Sequence, residues 1–232
     1  MSACPICATV ATSKRESTPY WSCTGCGLLF QDPLPPKAWH GPHETHLAEP
    51  MPDGEKAINA QLADHLFREV MHGSRGKTLD IGASYAWLAH SLAQLGCEAH
   101  AWDGSDELER FRADYPDVAC RYVDFEAMNA PNYRGLALIT FVHAFEHVYN
   151  PVGAFYKLRR MIADDGAVFI RMPDSGVAGI ERDFTDGHYQ IHPFVHCIAS
   201  IAELCARTRA FIIESAAELR PGQRDVTLSP IA

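Results

Sequence analysis

The chain has 232 residues, 47% of them hydrophobic, with 20 Lys plus Arg against 29 Asp plus Glu for a formal charge of −9. That length accommodates one medium domain and a small appendage, and no apolar run approaches the roughly 18 residues that a membrane helix needs. The acidic balance argues against a broad polyanion-binding face, and the opening Met1-Ser2-Ala3-Cys4 lacks a charged-then-apolar leader, so the expectation is a cytoplasmic protein with no membrane partner.

The first pattern along the chain is a pair of C-x-x-C knuckles, Cys4-Pro5-Ile6-Cys7 and Cys23-Thr24-Gly25-Cys26, with fifteen residues between Cys7 and Cys23. Four thiolates at that spacing suit one tetrahedral ion, with zinc favoured over iron or a disulfide pair. Sulfur fills every position and leaves none for water, so such an ion is structural. Gly25 and Gly27 are expected to supply the positive φ values of a tight knuckle. The remaining cysteines, Cys97, Cys120, Cys197 and Cys205, are scattered singly and read as reduced thiols.

Gln31 to Gly54 carries six prolines and little periodicity, the composition of an extended connector. The expected division is a ribbon over 1–32, a Pro-rich linker over 33–54 and a main domain over 55–232. Past the connector, Ile58, Leu62, Leu66, Phe67 and Val70 recur at helical steps, and that helix should end at Gly73.

From Lys77 the pattern alternates: a strand over Thr78–Ile81, a helix over Tyr85–Leu95, a strand over Glu98–Trp102, then a strand over Leu136–Val142 and a helix over Val152–Ile162. A strand over Ala167–Met172, a helix over Ile198–Thr208 and closing strands over Ala210–Ser215 and Asp225–Leu228 complete it. This is the signature of an α/β, doubly wound, Rossmann-like sheet. Ligands of such sheets sit at the carboxyl ends of the strands, which singles out Asp80-Ile81-Gly82, Asp103, Asp124-Phe125 and His143 to His147.

The first of these turns, Gly82-Ala83-Ser84-Tyr85-Ala86-Trp87, has one glycine of the three that a pyrophosphate cradle wants. An acid ending the first strand suits instead a ligand with an amino group and a positive centre, and Asp103, about twenty residues on, can take both ribose hydroxyls. Together they point to a nucleoside cofactor without phosphates. The plainer alternative is that Asp80 caps the next helix and Asp103 sits in a solvated turn.

With these residues in view, the chain resembles the class I S-adenosyl-L-methionine-dependent methyltransferases, specifically small bacterial ones that carry an amino-terminal zinc ribbon. The resemblance runs nearly end to end: the two knuckles with Gly27-Leu28-Leu29-Phe30-Gln31-Asp32-Pro33, then Thr78-Leu79-Asp80-Ile81-Gly82 and Asp124-Phe125. Phe145-Glu146-His147-Val148-Tyr149-Asn150-Pro151 and Asp165-Gly166-Ala167-Val168-Phe169-Ile170-Arg171-Met172-Pro173 follow in the same order. It implies S-adenosyl-L-methionine and structural Zn2+ as cofactors. Asp80, Gly82 and Ser84 would surround the methionine end, Asp103 the ribose hydroxyls, and Asp124 with Phe125 the adenine. The chain departs from its relatives at Ser84 and Ala86, where glycines are usual and side-chain atoms would crowd a close backbone approach.

Methyl transfer is an in-line displacement on an activated carbon, so alignment supplies much of the rate and a base removes the acceptor's proton. Histidine suits that role, and five are candidates: His143 and His147 after the fourth strand, and His188, His192 and His196 in the loop expected to cover the pocket. His147 is preferred, His143 second, with Glu146 beside them. Two alternatives stand: Glu146 and His147 as structural braces, or His143-x-x-Glu146-His147 as ligands of a divalent ion. The expected reaction is O-methylation of a small polar acceptor such as a sugar, a nucleotide-linked sugar or a secondary metabolite. Sugar C-methyltransferases of this type usually carry a further carboxyl-terminal domain, which disfavours carbon as the acceptor atom. The rivals are an rRNA or tRNA methyltransferase, disfavoured by the charge, and a non-catalytic module that has kept the sheet and lost the cofactor.

Overall fold

A computed structural model describes residues 2–10, 12–14, 18–35, 37, 50–105, 108, 112–128, 133–173, 192–220 and 223–231. Most of the connector and His188 lie outside the described residues. The small amino-terminal strands are β1 (Thr12–Lys14), β2 (Tyr20–Cys23) and β3 (Leu29–Gln31). Then follow α1 (Asp53–His65), β4 (Lys77–Ile81), α2 (Trp87–Gln94), β5 (Glu98–Asp103), β6 (Val118–Tyr122) and β7 (Leu136–Val142). The chain continues through α3 (Pro151–Met161), β8 (Ile162–Pro173), β9 (Phe194–Val195), α4 (Ile198–Thr208), β10 (Phe211–Arg220) and β11 (Gln223–Pro230).

The main sheet has the order β10-β11-β8-β7-β4-β5-β6. Strands β4 to β8 are parallel, and β11 and β10 are added antiparallel at one edge. The chain order reverses about β4, which pairs with β5 on one side and β7 on the other. That switch point is where a doubly wound sheet opens a crevice.

Each face of the sheet is covered. Phe141, Phe145, Phe155, Leu158, Ile201 and Phe211 belong to the larger core, under α3 and α4. Leu62, Leu66, Leu88, Leu92, Leu138 and Phe169 form the second, under α1 and α2. Burying a side chain such as Phe141 completely contributes on the order of 1.5–3 kcal/mol, and Phe141 is 0% exposed.

Element ends follow local chemistry. Asp53 and Glu55 occupy the first turn of α1, where carboxylates complement the helix dipole. This helix starts earlier than Ile58, and past His65 it continues as a π-helical turn, Leu66–Val70. Asn150 caps α3 by accepting the Gly153 N–H at 2.9 Å, with Pro151 in the first turn.

Three features depart from the sequence reading. Strand β6 is a separate parallel strand before Asp124 that apolar patterning did not delimit. Strand β8 begins at Ile162, well before Ala167. And β9, from the main domain, completes the amino-terminal sheet in the order β1-β2-β3-β9, pairing Leu29 with Val195 and Phe30 with Phe194.

Candidate active site

The carboxyl ends of the parallel strands bring the expected acids to one edge. On β4, Asp80 lies opposite Thr140 of β7 and Ala101 of β5. Thr140 donates its hydroxyl to Asp80 Oδ1 at 2.6 Å. Asp80 is 5% exposed; burial, aided by the charge of Asp103 and opposed by the Thr140 hydrogen bond, pushes its carboxyl up to about 7. It does not cap the next helix, since α2 starts at Trp87 with no side-chain cap.

Gly82 turns the chain out of β4 with φ +74°, and a Cβ there would stand 2.4 Å from the Cβ of Ala144. The turns after β4 and β7 thus meet at the switch point, and only glycine lets them approach so closely. Ser84 and Ala86 have φ of +47° and +56°. The loop therefore keeps a left-handed backbone at positions where glycine would carry no strain.

Asp103, half-buried at the tip of β5, accepts the Ser84 N–H at 2.8 Å through Oδ2 and the Ser105 N–H at 2.8 Å through Oδ1. Asp124 accepts the N–H groups of Glu126 and Ala127 at 2.9 and 3.2 Å. Lys37 of the connector reaches it at 3.1 Å and Glu126 at the same distance. Phe125 is buried, its ring edge-on to Phe141 with centroids 5.5 Å apart and Lys157 Nζ 4.9 Å above it.

After β7 the chain passes through His143, which has φ +53° and donates its N–H to Arg171 O at 2.9 Å. A single 3-10 turn, Phe145–His147, then carries Glu146 inward to 2% exposure. His143 Nδ1 lies 3.7 Å from Glu146 Oε1, an ion-pair distance longer than a hydrogen bond, and the His143 side chain is 41% exposed. Burial works to raise the Glu146 carboxyl, but pairing with His143 and the nearby His192 and His147 outweigh it and hold it down at about 2.

One donor atom from each of Glu146, His147 and His192 falls within 4.8 Å of the other two. The rings of His147 and His192 meet edge to face, centroids 4.7 Å apart. His196 packs on Phe145 at 5.1 Å with Nδ1 3.3 Å from the Ser200 hydroxyl. Burial, partly opposed by Glu146, lowers the His196 pKa to about 4, so its imidazole is neutral.

The amino-terminal sheet reaches this cluster directly. Gln31 donates its side-chain amide to His192 O at 2.9 Å and its N–H to Pro193 O at 3.0 Å. Tyr20 donates its hydroxyl to the same His192 carbonyl at 3.2 Å.

In the ribbon, Cys4 and Cys26 sulfurs are 3.7 Å apart and those of Cys7 and Cys23 are 3.4 Å apart. Thiolates bound about 2.3 Å from one tetrahedral ion stand about 3.8 Å apart, so the four sulfurs fit a zinc ion. The Gly25 N–H donates to Cys23 Sγ at 3.3 Å. Gly27 has the expected positive φ, +72°; Gly25 does not, and its requirement is space, since a Cβ would stand 2.5 Å from Thr9 Oγ1.

The sequence reading thus named the acids and the turn after β7 but missed Thr140, Lys37 and the union of His192 with Glu146 and His147. A hydroxyl inside the apolar run Leu136-Ala137-Leu138-Ile139-Thr140-Phe141-Val142 was the available signal for Thr140. Nothing in the connector marks Lys37.

Residues 55–211 match the family described as methyltransferase domain. No curated protein matches by sequence. Among solved structures, a TehB-like SAM-dependent methyltransferase from Corynebacterium glutamicum superposes with a TM-score of 0.54 at 12% identity, over 78% of this chain and 100% of its own. The magnesium protoporphyrin IX methyltransferase from Synechocystis, solved with SAH bound, gives 0.60 at 12% identity over 77% of this chain and 84% of its own. The mitomycin 7-O-methyltransferase gives 0.63 at 12% identity over 78% of this chain and 55% of its own.

Proposed function

The chain belongs to the methyltransferase-domain family, and from that premise we propose that it moves a methyl group from S-adenosyl-L-methionine to an oxygen of a small polar acceptor, with a histidine of the turn after β7 as general base. The observation that carries this reading is the convergence of Asp80, Asp103 and Asp124, near the tips of β4, β5 and β6, with His143 at the tip of β7.

Asp80 and the turn through Gly82 and Ser84 would face the methionine end of the cofactor, Asp103 would take the ribose hydroxyls, and Asp124 with Phe125 would flank the adenine. When bound, the cofactor supplies a sulfonium-activated methyl carbon, so the residues need only align the acceptor and receive its proton. His143 suits the second task better than His147. Its ring is 41% exposed with Nδ1 turned toward Glu146, which leaves Nε2 on the outer side of the ring. His147 is half-buried against His192. His143 would receive the proton of the acceptor oxygen as that oxygen takes the methyl group the bound cofactor would supply.

The same reading makes residues 1–32 a ribbon held by structural zinc on Cys4, Cys7, Cys23 and Cys26, joined by a 33–54 connector to a catalytic domain over 55–232. The formal charge of −9 favours a small acceptor such as a sugar, a nucleotide-linked sugar or a secondary metabolite over RNA. Calorimetry with S-adenosylhomocysteine tests the cofactor assignment: micromolar-range binding is expected for the intact chain and its loss in Asp103→Ala. Absence of binding to the zinc-loaded protein would remove the proposal.

A further inference from the structure

We propose that Glu146, His147 and His192 form a second metal site, one that takes a divalent first-row transition ion and presents it to an oxygen of the acceptor. The part concerning the acceptor rests on the methyl-transfer reading above; the metal site itself does not.

The donor set comes first. Two imidazoles and one carboxylate offer one atom each, all within 4.8 Å of one another. An ion bound about 2.1 Å from each draws them to about 3.4 Å apart, which asks for small side-chain rotations. Nitrogen and oxygen donors of this kind suit zinc, cobalt, iron or manganese rather than calcium, which prefers oxygen alone.

The carboxylate supplies an independent reason. Glu146 is 2% exposed, and its Oε2 has no hydrogen-bond partner among the described residues. An ionised carboxylate withdrawn from water with one oxygen unmatched is costly, and a divalent cation beside it removes that cost.

The backbone around the ligands is fixed from outside. His147 sits in the 3-10 turn after β7, its N–H donating to Ala144 O at 3.2 Å. His192 is held through its carbonyl by Gln31 and Tyr20. Outer contacts of this sort orient metal ligands.

Three protein ligands differ in consequence from four. The cysteine quartet is closed, whereas two histidines and one glutamate leave coordination positions for water or an acceptor oxygen. An oxygen bound there loses its proton more readily. His143 stands beside the set without belonging to it, its Nδ1 3.7 Å from Glu146 Oε1, in place to receive that proton. The acceptor class follows: a molecule with two neighbouring oxygens, such as a vicinal diol or a hydroxy-carbonyl compound, able to chelate.

The test is a cobalt(II) titration of the full chain already carrying one zinc per chain on its cysteines. Expected are one equivalent of cobalt bound with visible ligand-field absorption and no thiolate charge-transfer band, and two exchangeable, paramagnetically shifted imidazole N–H signals in the proton spectrum. His192→Ala and Glu146→Gln should lose this binding, and His143→Ala should keep it. Absence of cobalt uptake, uptake showing only thiolate bands, or a spectrum without shifted imidazole signals overturns the site, and the wild-type spectrum decides even where a variant fails to fold. Calorimetry with S-adenosylhomocysteine on the same samples separates the two ideas. Nucleoside binding without cobalt binding refutes the ion alone, and cobalt binding without nucleoside binding refutes the methyl-transfer reading alone.

Discussion

Gln31 of the ribbon donates its side-chain amide to the carbonyl of His192 at 2.9 Å. Together with the pairing of β3 and β9, this joins the cysteine knuckles to the histidine cluster through a few residues of extended backbone. The amino-terminal sheet therefore forms a wall beside the histidine cluster.

Loosening that wall should slow turnover without weakening nucleoside binding. Gln31→Ala removes one hydrogen bond of about 1 to 1.5 kcal/mol, which corresponds to about a five- to tenfold fall in kcat if His192 must stay in place. Steady-state kinetics beside calorimetry with S-adenosylhomocysteine check it. An equal loss in both readouts would mean that the whole domain has loosened. If the four cysteines hold zinc, Cys26→Ser, with zinc measured by elemental analysis, should have a larger effect than Gln31→Ala.

Gly82→Ala tests the meeting of the two turns. The new Cβ would stand 2.4 Å from the Cβ of Ala144 at a φ of +74°, so both overlap and backbone strain are introduced. A loss of about 1–3 kcal/mol in unfolding free energy is expected, with cofactor binding reduced as well. Adding Ala144→Gly should restore the overlap part and leave the backbone part, so denaturant melts of the double variant should fall between the parent and the single variant.

The tips of β4 and β5 were readable because each buried strand is a short apolar run ended by an acid, and β4 to β5 repeats the strand-helix-strand alternation. Strand β6 escaped because Val118-Ala119-Cys120-Arg121-Tyr122 is an edge strand with Ala119, Arg121 and Tyr122 exposed, so its apolar signal is thin. Strand β9 has two residues and exists because β3 supplies its partner from the far end of the chain. Contacts made at that sequence distance leave no periodicity behind. The same holds for His192, which periodicity assigns to a loop and tertiary pairing brings against Glu146 and His147.

Asp80 carries a pH signature. Burial holds its folded pKa at about 7, above the ordinary value of 3.8. Between those values the folded chain keeps a proton that the unfolded chain has released, so this residue's contribution to stability falls as pH rises from about 4 to about 7 and is level above. Ionised Asp80 is the form that attracts a positive ligand, so S-adenosyl-L-methionine affinity should climb from pH 6 to pH 8. Asp80→Asn should flatten both curves, read by thermal melts and by calorimetry across that range.

Glu146 has the opposite sign. Its folded pKa of about 2 lies below the ordinary 4.5, so its pairing with the surrounding imidazoles stabilises the fold above about pH 4.5 and that contribution is lost as pH falls toward 2. Glu146→Gln should make the acid side of the stability curve shallower in acid titrations followed by circular dichroism.

His143 gives the most direct reading of the chemistry. A positioned general base contributes about 10²- to 10⁴-fold to rate, so His143→Ala should lower kcat by at least about a hundredfold while S-adenosylhomocysteine binds as before, because the residue lies beyond the acids assigned to the nucleoside. If His143→Ala leaves the rate intact, the proton goes elsewhere, and the half-exposed ring at the tip of β7 only shapes the entrance.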